Sequence, residues 1–368
     1  MGSRLLQLAR GYLDRRTPGY LIFFVTPFCD CRCPMCFNRR VIDRASSRRT
    51  LTLEEVESIS RNFPGLHHVN FSGGEPFLRP DFAKLPELFY RNSGTRIFVI
   101  PTNSSRPAKI ADAIREICSS CPDAWVRITQ SLDGIGEDHD AIRGRAGLFE
   151  CVVELNRNLA ALKRELPNLS HGITTVMSKF NEGREYGILE YVHKNLQFDD
   201  FSVLHVRGET HDPAAREVSA AAYERFVRAC REKARGRDRS VGLTGRLFSA
   251  INAASTDLLT RTVCEDRFMT PCKAGKSMVV MDDEGTVSPC EILEYYIQSG
   301  RSQLKTAVFG NMRDYDYDIR KVLATEHSKN IVGHIRQSRC YCTFECAMSV
   351  NVLYSPRLWP RILTRLFR

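Results

Sequence analysis

Short apolar runs alternate along the first part of the chain with segments in which apolar positions recur at helical spacing. The runs YLIFFVT, HHVNF, RIFVIPT, WVRITQSL, GITTVMS and FSVLHV read as strands. Between them lie segments such as LTLEEVESISRNF, where Thr52 and Glu55 predict a capping box at a helix start. Repetition of this unit predicts an α/β fold, a parallel sheet covered by helices. Further on the pattern changes: MVVM and TVSP predict a hairpin around Asp282-Asp283-Glu284-Gly285.

The cysteines stand in groups against this pattern. Cys29, Cys31, Cys33 and Cys36 crowd into PFCDCRCPMCF at the end of the first run. Cys29, Cys33 and Cys36 form a Cys-x3-Cys-x2-Cys set on a predicted loop. Three thiolates so spaced can hold three irons of a 4Fe–4S cluster and leave the fourth open, whereas a closed structural site wants four protein ligands. Zinc held by all four thiols is the alternative, although ligands this close make a poor tetrahedral cage. A disulfide framework is disfavoured, because MGSRLLQLARGYLDRR lacks a signal core and predicts a reducing cytoplasm. One βα unit later, HHVNFSGGEPFLRP carries Gly73-Gly74-Glu75-Pro76, where two glycines allow close backbone approach. Thr102-Asn103 follows the third run, and SLDGIGEDHDAIRG spans Ser131 to Gly144.

Together these marks resemble the radical S-adenosylmethionine (SAM) superfamily. The resemblance implies a partial (β/α)6 barrel with its ligands at the C-terminal strand ends. It implies a 4Fe–4S cluster on Cys29, Cys33 and Cys36, whose open iron chelates SAM. An electron from the cluster would cleave the sulfonium, and the resulting 5′-deoxyadenosyl radical would abstract hydrogen from substrate. Gly73, Gly74, Glu75 and Pro76 would receive the SAM amino group through backbone oxygens; Thr102, Asn103, Ser131 and Arg143 match further cofactor positions. Met35 stands where the family often has an aromatic residue, and the Thr-Asn mark continues to serine. Cys31 is surplus to the ligand set and is expected to be a non-ligating thiol.

A second cysteine group occupies the hairpin region. Cys272 and Cys290 bracket the hairpin, and RCYCTFEC supplies Cys340, Cys342 and Cys346. Separated pairs of this kind suit a second metal site, iron–sulfur or zinc. The region resembles the twitch or SPASM extension of radical SAM enzymes, a small β-hairpin plus helix, and this implies one auxiliary 4Fe–4S cluster. Cys272, Cys290, Cys342 and Cys346 are the expected ligands, with Cys340 as the alternate. Cys118 and Cys121 read as incidental helical thiols, Cys151 and Cys230 as core residues, and Cys264 as a spare. His205, Arg207 and Glu209 follow the sixth run; they are candidates to face the barrel mouth as substrate contacts or proton carriers, against a solvated loop.

The resulting organisation is a helix over 1–18, the barrel over 19–235, the auxiliary region over 236–350 and a basic segment over 351–368. With 368 residues and 43% hydrophobic content the chain can bury a large core plus a smaller one. Its net charge of +10 gathers at the termini. Leu5, Leu8, Ala9, Tyr12 and Leu13 share one helical face, as do Trp359, Ile362, Leu363, Leu366 and Phe367, with arginines opposite. Such helices either pack on the barrel or lie at an anionic membrane surface, giving a cytoplasmic protein that is peripheral at the inner membrane. No basic strip interleaved with aromatics argues for nucleic acid. An external electron donor such as flavodoxin or ferredoxin is implied by the resemblance. The substrate readings are a lipid-linked molecule, a sugar or another small molecule. A peptide maturase is the alternative, disfavoured because about twenty residues before the first strand leave little room for a leader-binding domain. A non-catalytic iron–sulfur or zinc protein is the other class, and it would need no SAM pocket.

Overall fold

The computed structural model describes residues 17–234 and 243–366. The expected first helix lies outside the described residues. Among the described residues, nine strands form one sheet in the order β6-β5-β4-β3-β2-β1-β7-β8-β9, the last being the short β9 (Gly310–Asn311). The six predicted strands are β1 (Tyr20–Thr26), β2 (His68–Gly73), β3 (Ile97–Thr102), β4 (Trp125–Ser131), β5 (Leu169–Met177) and β6 (Asp200–His205). They pair in parallel and in chain order. β1 and β6 do not pair, so the barrel is open, the partial (β/α)6 arrangement.

Alternation along the strands divides the sheet into two faces. In β2, Val69 and Phe71 are fully buried while His68, Asn70 and Ser72 are half-buried. The buried face meets the helices. Phe71 packs there against Phe82, Phe89 and Phe98, with ring centroids at 5.6, 6.0 and 5.9 Å. Truncating such a side chain removes apolar contact and leaves a cavity. Phe71→Ala is therefore expected to cost about 3–5 kcal/mol of stability, read as a lower denaturant midpoint.

The hairpin is present and extends the barrel sheet. β7 (Met278–Met281) pairs in parallel with β1, Tyr20 opposite Met278, and β8 (Thr286–Ser288) returns antiparallel. The turn takes Gly285 at φ +85°, a conformation glycine tolerates. Arg48 grips this acidic turn: its Nε lies 2.8 and 3.0 Å from the two oxygens of buried Asp283, and its Nη2 is 2.9 Å from Asp282. Thr52 and Glu55 form the expected capping box, and Glu55 also receives the Arg313 Nε at 2.6 Å. The hairpin region is thus bound to the first half of the barrel by charge as well as by the sheet.

The gap left by the open barrel is approached by the helix Glu345–Leu353. Arg207, just beyond edge strand β6, pairs with Glu345 at the start of this helix at 2.7 Å. The same helix packs along the helix Leu243–Glu265. At the C-terminal end the helix Trp359–Leu366 buries Ile362 beside Ala250, Ile251 and Ala254. Trp359 and Leu363 stay exposed, at 38% and 51%. The predicted single apolar face is divided: Ile362 packs inward, whereas Trp359 and Leu363 do not. No described helix is long and apolar enough to cross a membrane.

Candidate active site and cysteine groups

The loop after β1 carries Cys29, Cys31, Cys33 and Cys36, and the end of β2 is pressed against it. Gly74 N–H donates to the Thr26 carbonyl and Glu75 N–H to the Phe28 carbonyl, both at 2.8 Å. A Cβ on Gly74 would lie 2.0 Å from the Phe28 oxygen, and one on Gly73, already at φ +119°, would lie 2.6 Å from the Thr26 oxygen. Both glycines are therefore required for the approach of β2 to the residues just before Cys29.

Glu75 extends this contact across the sheet. Its side chain is 2% exposed and accepts from the Thr102 hydroxyl at 2.8 Å and the Asn103 main-chain N–H at 2.7 Å. Burial pushes its carboxyl up to about 7, against those hydrogen bonds. Thr102 and Asn103 thus fix Glu75, and Asn103 also reaches the cysteine loop. Its Nδ2 donates to the Asp30 Oδ1 at 2.8 Å and to the Cys31 Sγ at 3.2 Å.

Arg143 supports the loop from the other side. Its carbonyl accepts from Arg32 N–H at 2.9 Å and lies 3.7 Å from the Cys33 sulfur. Its guanidinium pairs with fully buried Asp133 at 2.6 Å and lies 3.9 Å from the same sulfur. The Cys33 thiol is held at about 7 by a hydrogen bond from Cys31 and by the Arg143 charge, against burial. Burial pushes the Cys36 thiol up to about 12. Ser131 ends β4, half-buried and in register with Thr174.

The second group gathers around Cys272, Cys290, Cys340 and Cys342. Negative charge on Cys272 and Cys340 acts on Cys290, and Cys272 and Cys290 act on Cys342, in each case adding to burial in raising the thiol. Cys340 is pushed up to about 12 by burial and by Cys272 and Cys342. Cys346, expected among the ligands, stands elsewhere: its sulfur is 3.6 Å from the Asn70 Nδ2 and lies near Tyr20 and Arg207. The reason is the helix that starts at Glu345, which turns Cys346 toward β1 and β2 while Cys342 remains on the preceding loop. Cys340, the alternate in the sequence reading, takes its place in the group.

The three candidates after β6 separate. His205 packs edge-on against Tyr223, centroids 5.0 Å apart, on the face where Phe201 meets Phe226, not toward the mouth. Glu209 pairs with Arg40. Arg207 alone joins the two cysteine groups. It lies between the rings of Phe37, next to Cys36, and Phe344, at 5.3 and 4.9 Å. It pairs with Glu291, next to Cys290, at 2.6 Å and with Glu345 at 2.7 Å. Glu291, Glu345, Phe37, Phe344 and Asp133 were not singled out in the sequence. Acidic residues directly beside cysteines, as in CEIL and FEC, were the available signal.

The comparisons with known proteins agree with this geometry. Residues 23–192 match the family described as Radical SAM superfamily. A protein named GTP 3',8-cyclase from Pasteurella multocida (strain Pm70) is 29% identical over 154 residues, 40% of this chain and 46% of that protein. One of the same name from Haemophilus influenzae (strain PittEE) is 30% identical over 138 residues, 36% of this chain and 41% of its own. The chain thus spans less than half the length of these relatives. Among solved structures, Streptococcus suis SuiB bound to precursor peptide SuiA matches with a TM-score of 0.60 and 16% identity over 91% of this chain and 72% of that one. The structure titled "Native anSMEcpe with bound AdoMet" matches with a TM-score of 0.56 and 16% identity over 95% of this chain and 96% of that one. At such identities the likeness is one of fold.

Proposed function

From the radical SAM domain that residues 23–192 form in this chain, we propose an enzyme that cleaves SAM reductively and removes a hydrogen atom from a substrate carbon. The carrying observation is the fit of β2 to the cysteine loop, where Gly74 leaves no room for a Cβ beside Phe28. Three thiols, Cys29, Cys33 and Cys36, suit a 4Fe–4S cluster with one open iron, and the half-buried backbone of Gly73 and Gly74 suits the SAM amino group. The bound cluster and SAM supply the 5′-deoxyadenosyl radical. The chain's part is positioning: Arg143 holds Cys33, and Glu75 ties the ends of β2 and β3 together. Ser131, Thr102 and Asn103 complete the wall of the cofactor pocket in this reading.

Cys272, Cys290, Cys340 and Cys342 are the set that supports an auxiliary 4Fe–4S cluster. Four protein thiolates would close it, which favours electron transfer over direct substrate binding. A low-potential donor of the flavodoxin or ferredoxin kind would reduce the first cluster. The test is anaerobic reconstitution with iron and sulfide, then dithionite and SAM. 5′-Deoxyadenosine should form; none at full iron loading would leave the non-catalytic metal-protein reading.

The junction at Arg207 bears on substrate class. The Glu345 Oε1, the Tyr223 hydroxyl and the Asn70 Oδ1 are buried without hydrogen-bond partners around Arg207 and Cys346. Such groups want a partner, and a molecule offering hydroxyl or amino hydrogens would supply it. Near the cysteine loops Arg143 pairs with Asp133, Arg145 with Asp30, and Arg207 with Glu291 and Glu345, while Arg32, between Cys31 and Cys33, is exposed. Deuterium from labelled extract fractions should therefore enter 5′-deoxyadenosine from a fraction rich in hydroxyl or amino groups, such as sugars, alcohols or amines; transfer only from a fraction lacking such groups would overturn this. The peptide reading is the second, favoured by the peptide bound in the SuiB structure.

The exposed Trp359 and Leu363, with Arg357, Arg361, Arg365 and Arg368 in the same segment, suit peripheral contact with anionic lipid. The full chain should float with phosphatidylglycerol-containing vesicles at low salt, and a chain lacking residues 356–368 should not. Equal flotation of both would return the segment to a packing role.

A further inference from the structure

The second cysteine group opens onto one particular surface. Cys272, Cys340, Tyr341 and Cys342 line a small cleft together with Thr262 and Met269. The three thiols of this cleft are half-buried, whereas Cys290 is buried. Tyr341, between two of the thiols, is fixed at both ends. Its main-chain carbonyl accepts from the Tyr296 hydroxyl at 3.1 Å, and its own hydroxyl donates to the Asp266 carbonyl at 2.7 Å.

The charge around Tyr341 is mostly positive. Arg301 lies over the rings of Tyr296 and Tyr341, its Cζ 4.5 and 4.6 Å from their centroids. Arg339, the residue before Cys340, lies 5.9 Å over the Phe268 ring and holds φ +51°, a left-handed backbone that favours glycine. Arg261 and Arg267 both pair with Glu265, and Asp266 lies 3.8 Å from Arg301. All four arginines are exposed, so four positive charges stand against two negative ones. A guanidinium stacked on an aromatic ring keeps its in-plane N–H fork for a carboxylate. The two carboxylates within the patch suit a protein surface of mixed charge better than a continuous run of phosphates.

We propose that this arginine-rich surface over Tyr341 is the docking site of a small acidic electron-carrier protein, which delivers its electron at the second cysteine group. This rests on the reading of Cys272, Cys290, Cys340 and Cys342 as the ligands of an auxiliary 4Fe–4S cluster. The transfer is of a single electron: the carrier is oxidised, the cluster is reduced, and no bond forms or breaks. A carrier docked here stands against the residue that separates Cys340 from Cys342. From the second group the Arg207 junction leads to the first loop, with Glu291 beside Cys290 on one side and Phe37 beside Cys36 on the other. Complementary charge steers the encounter and sets the orientation of the carrier, and salt weakens both effects.

The test is titration calorimetry of the anaerobically reconstituted full chain with an oxidised flavodoxin. Binding should weaken as salt rises. Arg301→Glu with Arg339→Glu should raise the dissociation constant roughly tenfold. Arg339→Glu alone, which leaves the Arg301 stack in place, should raise it in the same direction by less. Arg91→Glu with Arg115→Glu makes the same change of net charge on exposed positions of two barrel helices and should bind as wild type does. The ratio of 5′-deoxyadenosine made with reduced flavodoxin to that made with dithionite should fall with the affinity, because dithionite needs no docking. Absence of binding by wild type, an unchanged constant in Arg301→Glu with Arg339→Glu, or an equal loss in the control pair would overturn the proposal. So would equally tight binding of a short DNA duplex. If the wild-type chain holds only about four irons, the auxiliary-cluster reading fails; if it holds about eight and charge reversal leaves binding unmoved, only the docking surface fails.

Discussion

Cys33→Ala is expected to abolish 5′-deoxyadenosine formation and to remove about four irons per chain, the content of one 4Fe–4S cluster. Cys33 is the most heavily supported of the three thiols in the Cys-x3-Cys-x2-Cys set. The Arg143 carbonyl and guanidinium lie at 3.7 and 3.9 Å from its sulfur, and its thiol is held at about 7, so it is substantially thiolate at neutral pH. The substitution should not unfold the chain. Arg143 keeps its partner Asp133 at 2.6 Å, so no buried charge is stranded when the sulfur goes. Far-ultraviolet circular dichroism should match wild type while turnover is absent. Cys151→Ala, which changes a half-buried thiol outside both groups, is the control and should change neither quantity. Undiminished 5′-deoxyadenosine from Cys33→Ala would refute the assignment of this loop as the SAM cluster site.

The sequence was most readable where local chemistry and tertiary structure ask for the same residue. β1 to β6 are apolar runs with a period that no helix would suit, and their parallel order follows from the intervening helices. The Thr52–Glu55 box is local by nature, because both bonds close within four residues. Gly73 and Gly74 were legible for a related reason: a residue without a Cβ marks close approach, although the partner, the Phe28 main chain, could not be named from spacing. What escaped was set by contacts distant in the chain. The parallel addition of β7 to β1 joins segments far apart, and nothing in MVVM distinguishes an edge hairpin from one that extends a sheet. His205 was misplaced because strand alternation was not carried to the last residue of β6, where it faces Tyr223. Arg207 was found, but its meaning depends on Phe37, Glu291, Phe344 and Glu345, which come from three separate segments of the chain.

The ligand set of the second group yields the other large effect. Cys340→Ala is expected to lower bound iron from about eight to about four per chain, and Cys346→Ala to leave it near eight. Sequence spacing alone favours Cys342 with Cys346, since both lie on one short segment. The helix Glu345–Leu353 decides otherwise, because its first turn carries Cys346 away from the loop that holds Cys340 and Cys342. Cys346 then meets Tyr20 and Asn70, on the strands of the barrel itself. Arg207 fixes this division: its pair with Glu345 holds the helix start against β6, and its pair with Glu291 holds the Cys290 loop. Cys340→Ala should therefore also lose the absorbance of one cluster while 5′-deoxyadenosine still forms at the intact first loop. Cys346→Ala should keep both clusters and, because its sulfur borders the unpaired Asn70 Oδ1, alter only steps that need substrate. The opposite pattern of iron loss would restore Cys272, Cys290, Cys342 and Cys346 as the ligands and would require the helix start to unwind when metal binds.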